Sequence, residues 1–323
     1  MHSVSKTVIS RDTAGTLIAA AFGPQAALSE FQELTDGFFN AAYLVGLASG
    51  ERYVLKIAPP ATVRVLRYEQ NIMHAEVAAI GLIQRTTTVP VPTIYCFDES
   101  RRLLDVPYFI MDYLPGISLH TARPGLAPQD QLAIDTAIGG YLREINTQTG
   151  TTFGYLTPTA PQHSSWKVAF LQMVDAVLAD GADIGVRLPL AYERLRKAIV
   201  QAADALDEVA TPQLVHWDLW DGNIFIDPAT GTITGIIDFE RALWADPLME
   251  FQFRTLETAP GFQQGYGRTM LATPNQRLRR VLYNIYLYLI MIIECAYREF
   301  ATNDQEIWAR GQLDQALAAL AAE

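Results

Sequence analysis

Over the first third of the chain, apolar residues fall in short blocks with strand-like alternation; beyond it they recur at helical spacing. Residues 11–22 read as a short helix. Residues 31–34, 41–47 and 52–58 read as three antiparallel strands, with Ser49-Gly50-Glu51 as the hairpin turn and Pro59-Pro60 stopping the third strand. Residues 66–84 carry the apolar spacing of a helix, and two further strands, 94–97 and 108–111, complete a five-stranded antiparallel sheet. Asp112-Tyr113-Leu114-Pro115-Gly116 reads as a linker. After it come helices at 129–146, 166–178, 191–209, 277–300 and 305–322. The expectation is an α+β chain: a β-rich N-terminal lobe over 1–113 and a mainly helical C-terminal lobe over 114–323.

Short strands interrupt the helical half, and they carry the chemistry. Residues 213–215, 224–227 and 232–237 are apolar runs, the last two joined by the turn Pro228-Ala229-Thr230-Gly231. At their ends stand Asp218 and Asn223, in His216-Trp217-Asp218-Leu219-Trp220-Asp221-Gly222-Asn223, and Asp238, in Gly235-Ile236-Ile237-Asp238-Phe239-Glu240. Asn223 and Asp238 offer hard oxygen ligands to Mg2+, and Asp218 can take a proton from a substrate hydroxyl. Phosphoryl transfer from ATP or GTP uses such a set, because its loose transition state asks for positioning and charge neutralisation more than for a strong base. His216 reads as a hydrogen-bonding brace and Asp221 as a turn former before Gly222.

The His-x-Asp-x-x-x-x-Asn spacing followed by Ile-Asp-Phe resembles the catalytic and metal-binding loops of kinases. Trp217 stands where protein kinases carry Arg, and Phe239-Glu240-Arg241-Ala242-Leu243-Trp244-Ala245-Asp246-Pro247 has no Ala-Pro-Glu terminator and little room for an activation segment. In these features residues 34–254 resemble the aminoglycoside phosphotransferase family of small-molecule kinases, which includes antibiotic, choline, homoserine and fructosamine kinases. The resemblance implies a two-lobed protein-kinase-like fold with the nucleotide held by the N-terminal lobe. It implies that Lys56, on the third strand, holds nucleotide phosphates and pairs with a glutamate of the next helix, Glu76 in preference to Glu69. It implies that Gly37-Phe38-Phe39-Asn40 forms the phosphate loop, with Asn40 a donor, and that the backbone of Met111 to Leu114, Tyr113 included, meets the purine. Asp246, in Asp-Pro, becomes a structural brace.

The substrate side has fewer signals. Trp217, Trp220 and Trp244 lie near the catalytic loops, where an aromatic ring either stacks on a substrate or packs in the core. Glu240 follows the metal loop. Glu294 ends an apolar helix, either as a substrate contact of the kind acidic residues make to cationic substrates in the family or as an ion pair with Arg298 one turn on. The net charge of −11 is concentrated beyond Tyr113, where 24 Asp and Glu face 15 Lys and Arg. That excess opposes nucleic acid binding and suits cationic ligands or a solvated acidic surface.

Cys96 and Cys295 have no metal-ligand spacing and read as buried free thiols in a reducing, cytoplasmic protein. The apolar run 281–293 is too short for a membrane span and contains Asn284, so it reads as a buried helix. No P-loop or Gly-x-Ser-x-Gly sequence occurs. The resulting expectation is a magnesium-dependent kinase acting on a hydroxyl of a small molecule, cations being among the candidates. An antibiotic acceptor comes first, a metabolic one of choline, homoserine or fructosamine type second; Asp218-Leu219-Trp220 is similar to the fructosamine kinases in that detail. A catalytically silent nucleotide-binding module and a protein kinase are the rivals. The partners expected are nucleotide and small molecule, with neither nucleic acid nor membrane.

Overall fold

In the computed structural model the described residues are 6–35, 37, 39–252, 259–267, 272–300 and 302–322. They form two compact units, Met1–Arg64 with Val91–Pro115, and Val65–Pro90 with Gly116–Glu323.

The first unit opens with α1 (Arg11–Phe22), whose N-terminus is capped by the Ser10 side chain accepting the Thr13 amide. Five strands follow: β1 (Leu28–Leu34), β2 (Ala41–Leu47), β3 (Arg52–Ile57), β4 (Ile94–Asp98) and β5 (Tyr108–Asp112). They make one antiparallel sheet in the order β1-β2-β3-β5-β4. The five expected strands are all present, each within a few residues of its expected ends. Val45, Leu55, Ile57 and Ile110 from the sheet close with Leu17 and Ile18 of α1 into one apolar core. At the β2–β3 hairpin Gly50 adopts φ 105°, which the turn requires and a side chain would resist.

The second unit begins with a 3-10 turn, Arg67–Glu69, before α2 (Ile72–Thr86). The single helix expected over 66–84 is broken because Asn71 sits in the left-handed region at φ 57°. Although α2 precedes Tyr113 in sequence, it belongs to this unit, where it packs on the turn Phe239–Arg241. Next come β6 (Ile117–Ser118), α3 (Leu119–Ala122), α4 (Pro128–Asn146), β7 (Gly154–Tyr155), α5 (Trp166–Asp183) and α6 (Tyr192–Ala202). Then follow β8 (Gln213–Val215), β9 (Ile224–Ile226), β10 (Ile233–Ile236), β11 (Leu243–Ala245) and α7 (Pro260–Tyr266). The chain ends in α8 (Pro274–Arg298) and α9 (Asp304–Ala322).

Two small sheets arise here, β10-β9-β6 and β7-β11-β8. Helix α8 is long and apolar enough to cross a membrane, yet most of that stretch is buried inside the protein, as expected of a core helix. Thr273 and Gln276 form a capping box at its start. Cys295 is buried and Cys96 only half-buried, and both are free thiols.

Candidate active site

Backbone hydrogen bonding assembles the site from two loops that follow short strands. Strand β8 ends at Val215 and delivers His216; Trp217 then turns back at φ 55°. A non-glycine residue held in this region marks a loop that its surroundings over-determine. Those surroundings include Glu250, whose carboxylate accepts the amides of His216 at 2.6 Å and Trp217 at 3.0 Å, with Asn146 Nδ2 at 3.3 Å. Asp238 in the second loop is likewise left-handed, at φ 67°. The loops are tied to each other where Ile237 donates its amide to the Asn223 carbonyl at 3.0 Å and accepts His216 Nε2 at 3.0 Å.

That bond fixes the proton of His216 on Nε2, leaving Nδ1 to accept the Asp218 amide at 3.2 Å. Burial drives the imidazole pKa down to about 4, against the pull of the Ile237 bond and Asp238. His216 is therefore a neutral brace, as the sequence led us to expect.

Asp218 and Asn223 meet directly. Asn223 Nδ2 donates to the Asp218 carbonyl at 2.9 Å and to its Oδ2 at 3.3 Å, so Asn223 Oδ1 is the atom that would ligate a hard cation. The Asp218 carboxyl is pushed up to about 7, first by loss of water, against the pull of Arg241, and further by Asp238, Glu240 and Glu294. On the Asp238 side, Glu76 of α2 and Glu240 bring their carboxylates within 4.8 Å of one another and of Asp238. Oxygen donors alone, crowded and charged, fit a hard divalent cation such as Mg2+, which relieves their mutual repulsion.

A carboxylate, an amide and further acids on loops with kinase spacing have a counterpart among known proteins: residues 30–269 match the phosphotransferase enzyme family. The chain belongs to this family. The phosphotransferase is 25% identical over 271 residues to a probable ketoamine kinase of Vibrio parahaemolyticus, covering 80% of this chain and 84% of that one. Among solved structures, a putative fructosamine-3-kinase from Thermobifida fusca aligns with TM-score 0.66 at 17% identity, over 96% of this chain and all of that one. An aminoglycoside phosphotransferase in ternary complex with AMP-PNP and hygromycin B aligns with TM-score 0.62 at 18% identity, over 96% and 100%. The fold is kinase-like.

Several residues of the phosphotransferase stand where the sequence did not place them. Trp217, a candidate substrate contact, is fully buried: its ring stacks on Tyr286 at 5.2 Å and tilts against Tyr155. Glu240 is buried in the carboxylate cluster, and that surrounding replaces the expected substrate contact. Glu294, also buried, pairs with Arg241 at 3.3 Å and Arg298 at 3.1 Å and accepts Gln305 at 2.6 Å, so its charge is consumed inside the protein. Glu69, the alternative to Glu76, is buried: it pairs with Arg298 at 2.6 Å and accepts the Leu66 amide at 2.9 Å. Trp220 is exposed beside His120.

Asp246 behaves as a brace, held by Arg279 at 2.9 Å and Tyr283 at 2.8 Å. Asp221, expected to be only a turn former, also forms an ion pair with Arg123, which in turn holds Asp135. In the first unit Lys56 is half-buried on β3, opposite Ala42 and Phe109, and Asn40 is buried just before β2. Phe38 of the expected phosphate loop lies outside the described residues, as does Arg254, the end of the span used for the sequence resemblance. Met111 pairs with Val54 and Ile94 within the sheet. The Tyr113 amide is directed to the Arg52 carbonyl at 3.4 Å.

Proposed function

We propose that this phosphotransferase moves the γ-phosphoryl group of ATP or GTP to a hydroxyl of a small molecule. The observation that carries the reading is the Asn223–Asp218 contact, in a loop fastened to the one that bears Asp238. Asp218 holds the alcohol and accepts its proton as the oxygen bonds to phosphorus and the bond to the nucleotide diphosphate breaks. Burial and the neighbouring acids raise the Asp218 carboxyl, which strengthens it as a proton acceptor. Asn223 and Asp238, with Glu76 and Glu240 beside Asp238, would hold magnesium, which supplies charge neutralisation on the phosphates when bound. Lys56 and Asn40 are proposed to contact the phosphates, and the backbone at Met111 and Tyr113 the purine.

For the acceptor, the ketoamine-kinase relative, matched over 84% of its length, favours a metabolic alcohol over an antibiotic. The full-length protein incubated with magnesium, ATP or GTP, and a panel of fructosamines and aminoglycosides tests this. Acceptor-dependent nucleotide consumption with a phosphorylated product is expected. A protein that neither binds nor consumes nucleotide defeats the proposal, and turnover confined to aminoglycosides reverses the choice of acceptor.

A further inference from the structure

The second unit holds an open cavity of about 420 Å³, within the size range of small-molecule sites. Three of its walls are the rings of Tyr68, Tyr155 and Tyr286. These rings also touch the machinery already described. Trp217, next to Asp218, stacks on Tyr286, and the Arg241 guanidinium, next to Glu240, stands 5.9 Å over the Tyr68 ring. One aromatic stack, Tyr286 on Trp217, thus joins the cavity lining to the loop that carries the proposed base.

Most of the polar side chains in its lining are already bonded within the protein. Tyr155 and Tyr286 hydrogen-bond through their hydroxyls at 3.0 Å, and the Tyr68 hydroxyl donates to Glu69 at 3.4 Å. The rings are spent as apolar surface, their hydroxyls on internal bonds. His163 Nε2 and Gln172 Oε1 pair with each other, and Thr159 accepts Asn71. The one carboxylate in the lining, Asp180, forms an ion pair with Arg67 and also accepts the Arg67 amide at 2.9 Å. Behind the wall, Glu69 and Glu294 are matched by Arg298 and Arg241. Each of these three buried acids therefore has an arginine partner, Arg67 being shared with Asp183. An ammonium group entering here would lose water without meeting an uncompensated carboxylate, which is the costly case. An uncharged ring or branched chain loses little and gains contact with tyrosine faces and with Met173 and Val177.

We infer that this cavity receives the non-reacting body of the acceptor, and that this body is an uncharged aryl or branched-alkyl group in place of a polyamine. The inference rests on the kinase reading and narrows it: the net acidity of the chain does not define the pocket.

Calorimetric titration of the full-length protein with 4-nitrophenyl β-D-glucopyranoside, an uncharged aryl probe, and with kanamycin, a polycation, tests it. The expected result is saturable binding of the aryl glucoside, weakened at least tenfold by A176W, which fills the cavity from α5, with no saturable binding of kanamycin. T159W intrudes from the loop before α5 and serves equally if A176W does not fold. Magnesium–ATP binding is unchanged in either variant. Kanamycin binding as tight as the aryl glucoside, no binding of the aryl glucoside, or binding indifferent to both substitutions overturns the inference. Loss of magnesium–ATP binding by the unsubstituted protein is a separate result and defeats the kinase reading.

Discussion

Glu250 holds the amide of His216 at 2.6 Å, and this bond positions the first residue of the catalytic loop. The same carboxylate is pushed up to about 7 by burial, against the opposing pull of its bonds to His216, Trp217 and Asn146. The folded chain therefore keeps this proton up to about 7, whereas the unfolded chain releases it near 4.5. Stability from this group is complete below the lower value and is lost as pH rises to the upper one. His216, lowered to about 4, contributes in the opposite direction, gaining stability as pH rises toward 6.5. Subtracting the melting-temperature profile of E250Q from that of the parent isolates Glu250: the difference should slope downward between pH 5 and 7, with a cost of roughly 1–3 kcal/mol for the amide group turned toward a backbone N–H. A flat difference removes the assignment.

Asp218 should be indispensable to turnover and dispensable for nucleotide. D218N keeps an oxygen for the Asn223 amide but cannot take a proton. A loss in kcat of roughly 10²–10⁴ is expected, with the nucleotide dissociation constant within a few-fold of the parent. Single-turnover phosphorylation and equilibrium binding, measured side by side, separate the two; undiminished kcat would remove Asp218 from the mechanism.

The Arg241–Glu294 pair is a stability element whose members depend on each other. Removing Arg241 leaves Glu294 to share Arg298 with Glu69. R241M should cost about 3–5 kcal/mol in urea denaturation, the usual price of orphaning a buried charge. R241M/E294L should recover more than 1 kcal/mol of the summed single losses. Strict additivity would mean that the pair is not coupled.

Magnesium should stabilise the protein through the acid cluster. Titrating the nucleotide-free chain with MgCl2 should raise its melting temperature, and D238N should abolish the rise. An equal rise in D238N would place the ion elsewhere.

Gly116 stands at φ 107°, and a Cβ built there would lie 2.1 Å from the Ile226 carbonyl oxygen. Both the conformation and the close approach exclude a side chain, and β6 must reach β9 at this point. G116A should therefore lose about 2 kcal/mol or more, read as a drop in denaturation midpoint with an unchanged slope.

The sheet of the first unit was legible because each strand is a short run of apolar residues set off by turn residues, and the site loops were legible because their chemistry sits on one contiguous stretch. What escaped was non-local or very short. Strands β6 and β7 have two residues each and β11 three, too few to show a period. The Arg298–Glu69 bond joins residues 229 apart, and no local pattern announces it. Glu76 was singled out by the family resemblance of its helix, but its company with Asp238 and Glu240 depends on where α2 packs. Trp217 shows the same limit: an aromatic beside the base reads alike whether it faces ligand or Tyr286, and only packing decides.

Because α2 packs on the turn carrying Glu240, the β-sheet unit is discontinuous in sequence. A fragment cut after Tyr113 would carry this helix away from its partners, with Ile72, Met73, Ala79, Ile80 and Ile83 uncovered. Such a truncation is destined to aggregate, whereas joining Arg64 to Val91 through a short glycine-serine bridge is the excision that respects how the polypeptide is knit.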